Sequence, residues 1–383
     1  MTSRSIVIVA QPRRMRNRAR VVFRVVYSAC FVASFVLFSS HPTLAKPRTA
    51  AGRQTTALQA SAEGNSPILA STKIGTVPSE PVQEPPAERY SVAITDRSWF
   101  DAQRGRTIPA RIYYPANVSE RFPVVVFSTG LGRSRDDCAY LGRHWAGCGY
   151  VSVFVQHPGS DEGARGGIRP RKELQRAFYD PNNIRNRPLD MSFVIDRLEQ
   201  MAQDGSSLGE RLDMTRLGAS GHDFGSQTVL ALAGQVLPGR ITLGDSRVKA
   251  VVAMSSPVPL GQVPLAEAYA GISLPCLHIT GTADNSIVGT TQAYQRRLPF
   301  DHVSAADQYL ITLNGADHMT YSGHIRAANG TYDAMFQRLI AESSAAFWDA
   351  YLKQSDTAKT WLAGKGLEAY LGAAGWAERK LVP

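Results

Sequence analysis

Gly221-His222-Asp223-Phe224-Gly225 is the stretch on which the fold of this chain turns. Ahead of it, Met214 to Ser220 reads as a buried strand. Behind it, Ser226 to Leu237 is an apolar run with helical spacing. A strand, a tight turn between glycines and then a helix is the setting of the G-x-nucleophile-x-G motif. The glycines are needed because a side chain beside the nucleophile would collide with its neighbours. Asp223 is thereby placed at the carboxyl end of a central strand, against a helix N-terminus whose dipole favours negative charge. A carboxylate stands where a serine is usually read.

Working outward, short apolar runs alternate with helical patterns. Tyr90–Thr95 and Ile108–Tyr114 read as a hairpin around Gly105. Further strands are expected at Phe122–Phe127, Tyr150–Val155, Met214–Ala219, Val248–Ser255, Leu274–Thr280 and Gln308–Leu313. Helices are expected at Cys138–Cys148, Pro188–Met201, Ser226–Gln235, Thr290–Arg297 and Tyr332–Leu352. Buried Val/Ile runs alternating with helices predict an α/β fold, a mostly parallel central sheet with helices on both faces. In such sheets the site lies at the carboxyl ends of the strands.

Three polar residues fall at such ends in a telling order. After Asp223 come Asp284, in Thr280-Gly-Thr-Ala-Asp284, and His318, in Gly315-Ala-Asp-His318. Nucleophile, acid, histidine is the chain order of a hydrolase triad. Asp284 would orient the imidazole, and His318 would move protons or activate water. Backbone N–H groups of Phe224 and of Leu131, in the glycine-rich turn Ser128-Thr-Gly-Leu-Gly132, would face a developing oxyanion. Thr129, His157, Ser160 and His222 are expected to line the pocket. Taken singly, Asp284 reads as a turn or cap and His318 as a loop histidine; the order and strand-end placement together make the case. His318 and His324 fit no common metal-ligand spacing, so neither a metal nor a cofactor is expected.

These stretches resemble the α/β-hydrolase superfamily, in particular its platelet-activating-factor acetylhydrolase-like and dienelactone-hydrolase-like members. Cutinase-like enzymes are more distant kin. The resemblance runs from about Arg106 to the C-terminus. It is carried by Ile108-Pro-Ala-Arg-Ile-Tyr-Tyr-Pro115, Pro123-Val-Val-Val-Phe-Ser128, Gly149-Tyr-Val151, His157-Pro-Gly-Ser-Asp161, the elbow, and the Asp284 and His318 segments. It implies hydrolysis of a small-molecule, lipid or ester-like substrate by Asp223, His318 and Asp284. The chain departs from the family at two positions. The family elbow reads G-H-S-F-G, and a histidine usually stands where this chain has Thr129.

An aspartate nucleophile is used by dehalogenase-like and epoxide-hydrolase-like members of the same fold. With a free pKa of roughly 4 it is ionised without help. It can displace a leaving group at a saturated carbon and form an alkyl ester, whereas attack on an ester carbonyl would create an anhydride. Two features oppose turnover. Two carboxylates beside one imidazole favour its protonated form, and Phe224 offers no donor to a leaving group. A pseudo-hydrolase that binds a ligand or partner without turnover is therefore the alternative reading. A structural role at the cell surface is a third.

The N-terminus reads as targeting. Arg4 to Arg24 carries seven arginines and no acid, Val25–Phe38 is apolar, and Thr43-Leu-Ala45 is a small-x-small cleavage pattern. Residues 1–45 are thus expected to be a signal peptide cleaved after Ala45, giving a secreted or periplasmic protein. The alternative is an uncleaved anchor, the one membrane attachment the sequence offers. Of the formal net charge of +10, seven units belong to that segment, and the remaining +3 gives no reason to expect nucleic acid. Residues 46–89 are rich in Ala, Ser, Thr, Gln and Pro and read as a disordered linker to a domain at 90–383. Cys138, Cys148 and Cys276 read as buried thiols, with a Cys138–Cys148 disulfide as the open alternative. Glu162–Arg187 and Pro257–Ile272 are the irregular segments expected to shape the pocket. Oligomeric state has no signal in the sequence.

Overall fold

The computed structural model describes Pro85 and residues 87–163, 170–261, 263–326 and 330–383. The expected signal peptide at 1–45 and most of the linker at 46–89 lie outside the described residues.

The elements run β1 (Val92–Asp101), β2 (Arg106–Pro115), β3 (Phe122–Ser128), α1 (Ala139–Gly147), β4 (Val151–Val155), α2 (Arg171–Tyr179), α3 (Pro181–Met201), β5 (Leu212–His222) and α4 (Phe224–Leu232). They continue as β6 (Val248–Met254), α5 (Leu265–Tyr269), β7 (Cys276–Ala283), α6 (Leu298–His302), β8 (Gln308–Asp317), α7 (Gly330–Tyr351), α8 (Asp356–Ala363), α9 (Gly366–Leu371) and β9 (Gly375–Lys380). The strands form a nine-stranded sheet in the order β1-β2-β4-β3-β5-β6-β7-β8-β9. From β4 to β8 every pairing is parallel, while β1–β2, β2–β4 and β8–β9 are antiparallel. This is an α/β-hydrolase-like arrangement, as the sequence predicted.

The central strands are apolar because both faces are covered. Successive side chains point to opposite faces. Val125 and Phe127 of β3 join a core with Trp145 of α1 and Trp348 of α7, whereas Val124 and Val126 join Met191, Ile195 and Leu198 of α3 and Leu230 of α4. Cys138, Cys148 and Cys276 are buried, and no disulfide joins the first two. Burial pushes the Cys148 and Cys276 thiols up to about 12.

Three expectations need correction. The helix predicted at Pro188 begins at Pro181, where the Asp180 side chain accepts the Asn182 N–H and Pro181 takes the first helical position. Pro188 sits inside that helix. Over Thr290–Arg297 the backbone tightens into a 3-10 turn at Ala293–Arg297, followed by α6. The segments 162–187 and 257–272 are partly regular, carrying α2, the start of α3, and α5. Among the described residues no helix is long and apolar enough to cross a membrane.

His278 of β7 gives the fold a pH dependence. It is buried, its Nε2 lies 3.0 Å from Gln308 Oε1, and its Nδ1 has no hydrogen-bond partner among the described residues. Burial lowers its pKa to about 4. Between about 6.5 and about 4 the unfolded chain therefore binds a proton that the fold does not. The contribution is complete above the unfolded value and is lost as pH falls. Over that interval it amounts to roughly 3 kcal/mol at about 1.4 kcal/mol per unit. Urea unfolding at a series of pH values should show this loss, and His278→Leu should flatten the slope. An equal slope in the variant would remove His278 from the account.

Candidate active site

β3 and β5 lie side by side with Ser128 opposite Gly221, so the turns that follow them meet at the carboxyl edge of the sheet. Between β5 and α4 the chain reverses at Asp223, whose φ of 54° and ψ of −119° form a strained turn in a non-glycine residue. Close packing sets the sequence around it. A Cβ on Gly221 would lie 2.3 Å from Gly225 O, and one on Gly225 would lie 1.9 Å from Ser128 O. The Asp223 N–H donates to Met254 O at 3.0 Å and its carbonyl accepts the Ser226 N–H. Those bonds hold the turn from both sides.

Asp223 Oδ1 lies 3.7 Å from His318 Nε2, and His318 Nδ1 lies 3.0 Å from Asp284 Oδ1. The structure thus brings together the three residues that the sequence placed at strand ends. Asp284 is fully buried and accepts from Ser255 Oγ at 2.8 Å and Thr280 Oγ1 at 3.0 Å. An ionised carboxylate only accepts, so the proton on neutral His318 belongs on Nδ1 and the Nε2 lone pair faces Asp223. Burial opposes ionisation of Asp223. His318, His222 and Arg296, with the Phe224 N–H, outweigh it and hold its carboxyl below the usual carboxylate range.

Two residues of this centre escaped the sequence reading. Ser255, with φ of 54°, touches both Asp284 Oδ1 and His318 Nδ1 (3.0 Å) from the end of β6. Its position just past a strand was the available signal. Arg296 is 1% exposed and donates to Ser255 O at 2.7 Å and Asp284 O at 3.1 Å. Its Nη2 stands 3.5 Å from Asp284 Oδ1 and 3.3 Å from His318 Nδ1. Nothing in Arg296-Arg297 marks one arginine as internal. With Arg296 present, the two carboxylates face one fixed cation besides the imidazole.

The cleft over Asp223 has a volume of about 610 Å³ and is lined in part by Leu131, Leu174, Val288, Met319, Arg133 and Glu162. His222 lines it, whereas Thr129, His157 and Ser160 are buried and not part of its lining. Thr129 Oγ1 donates to Val155 O at 3.0 Å. His157 bridges Ser128 Oγ (2.9 Å) and Asp190 Oδ2 (3.0 Å), and burial, with Arg187, lowers its pKa to about 4. Ser160 Oγ accepts from Arg187 at 2.8 Å. Arg187, 1% exposed, also donates to Thr129 O and Thr228 Oγ1 and lies 4.5 Å from the Phe224 ring centre. These side chains brace the turn that carries Leu131. Ser220 is fully buried on β5 and does not line the cleft.

No protein-family model matches the chain, and no curated protein matches it at a significant level.

Proposed function

We propose that this chain is an exported hydrolase that forms an alkyl ester on Asp223. The observation that carries the reading is the strained Asp223 turn with its carboxylate 3.7 Å from a His318 that Asp284 orients. An ionised Asp223 oxygen attacks a saturated carbon, and the leaving group departs with the bonding pair. His318 Nε2 then takes a proton from water, and the hydroxide adds to the Asp223 carbonyl. The Phe224 and Leu131 N–H groups would stabilise the resulting oxyanion. Collapse frees the alkoxide, which takes the proton back from His318 and leaves as the alcohol. The cleft wall of Leu131, Leu174, Val288 and Met319 suits a small, largely apolar substrate.

The test is to trap the ester. His318→Gln should stop hydrolysis after the first step. With styrene oxide or 1-bromobutane, the peptide containing Asp223 should then gain the mass of the alkyl group. If wild type consumes a probe and the variant shows no adduct on that peptide, the mechanism fails. A second reading, a binding site without turnover, is favoured by Phe224, which is 1% exposed and packs against Phe178 and Arg187. It predicts a wild type inert towards all probes and an Asp223→Ser variant active on p-nitrophenyl acetate.

A further inference from the structure

Beside the triad, a second group of side chains converges on the same cleft. Asp137, Cys138 and His222 each present one ligand-type atom, and these atoms lie within 4.8 Å of one another. All three residues are buried, at 6%, 1% and 3% exposure, while Asp137 and His222 also border the cleft. His222 ends β5, and Cys138 precedes α1 in a left-handed conformation, φ 58°, uncommon for a residue with a side chain. Cys138 Sγ lies 3.2 Å from Tyr321 O and 3.7 Å from Asp137 Oδ2, and Arg133 Nη1 lies 3.9 Å from Asp137 Oδ1.

The group is under-satisfied. Both ring nitrogens of His222, Asp137 Oδ1 and the hydroxyls of Tyr140 and Tyr321 are buried with no hydrogen-bond partner among the described residues. The Tyr321 ring lies over His222 at 5.3 Å, leaving the ring nitrogens without a donor or acceptor from that side. Leaving a buried polar group unmatched is destabilising, because it gives up its bonds to water and gains none. A histidine kept for packing alone would still need a partner. One that is bare at both nitrogens beside a thiol and a carboxylate keeps ligand atoms that neither its stacking on Tyr321 nor its charge effect on Asp223 engages. Nitrogen, sulfur and oxygen donors in one set suit zinc and its neighbours and are poor for calcium or magnesium.

We propose that Asp137, Cys138 and His222 bind a zinc-class divalent ion through a carboxylate oxygen, the thiolate sulfur and one ring nitrogen. Water from the cleft takes the remaining position. Binding releases the Cys138 thiol proton to solvent as the metal–sulfur bond forms. The site departs from the absence of metal expected of the sequence, because Asp137-Cys138 and His222 are 84 positions apart and share no spacing motif. If Asp223 forms an alkyl ester, the ion can act as the leaving-group electrophile that Phe224 does not supply. That consequence rests on the proposed function; the binding itself does not.

The test is a cobalt titration of the full chain after chelator treatment. Wild type should take up one Co²⁺ and develop a thiolate-to-cobalt charge-transfer band, which Zn²⁺ then removes. Cys138→Ser should bind without that band. His222→Gln should weaken cobalt binding by at least about tenfold, since even outer-shell partners change metal affinity by that much. Asp223→Asn, which removes no ligand, should keep the band, so loss of catalysis and loss of metal are read separately. A wild type without the band, or a band that persists in Cys138→Ser, overturns the proposal.

Discussion

Asp223→Asn is expected to lower kcat on any alkyl probe by at least about 10⁴-fold, the scale of removing a member of a catalytic triad. The substitution keeps the shape of the side chain and removes its charge. An amide does not displace a leaving group from carbon at a useful rate. The strained turn, φ 54° and ψ −119°, is held by backbone bonds to Met254 and Ser226, which the variant retains. Its unfolding midpoint in urea should therefore stay close to wild type, separating lost chemistry from lost structure. Burst kinetics with 1-bromobutane give the rate. A kcat within tenfold of wild type would show that Asp223 is not the nucleophile and would move the chemistry to a water activated directly by His318.

The parts of this site that could be read in the sequence are those fixed by local rules. Gly221 and Gly225 are dictated by backbone contacts within a few residues of Asp223 and against Ser128, so the motif carries its own geometry. The central strands were legible because both faces are covered, which makes β3, β4 and β6 mostly apolar, interrupted only by Ser152 inside β4 and Lys249 near the start of β6. β9 was missed for the converse reason. Gly375–Lys380 is an edge strand with no fully buried residue, and its Trp-Ala-Glu-Arg-Lys has no apolar run to mark it. The start of α3 was misplaced because Pro188 reads as an opening proline, while the true signal, Asp180-Pro181, lies a full turn and more upstream. His157 and Ser160 follow a strand as a pocket residue would. Arg187 and Asp190, far along the chain, hold them behind the wall instead. Long-range burial of charge leaves no local trace, since arginine is ordinarily a surface residue.

Arg296→Met should be the most damaging substitution at the centre outside the triad itself. The guanidinium is 1% exposed and holds the carbonyls of Ser255 and Asp284. It is also the fixed cation beside a fully buried Asp284. Breaking a buried charge pair from one side costs roughly 3–5 kcal/mol, because the remaining charge stays buried without compensation. Urea unfolding should register that loss. In the fraction that folds, Asp223 and Asp284 face His318 with no cation to offset them. The imidazole that must accept a proton from water has then lost the guanidinium beside its other nitrogen. The kcat/KM of the folded fraction should fall. Arg296→Lys restores the charge without the forked donors, so it should return kcat/KM towards wild type while recovering only part of the stability. An unchanged kcat/KM in the folded fraction of Arg296→Met, with stability lost, would make Arg296 a brace for the Ser255 and Asp284 turns and nothing more. A kcat/KM that falls in Met and returns in Lys would show that charge, and not packing, lets one imidazole work between two carboxylates.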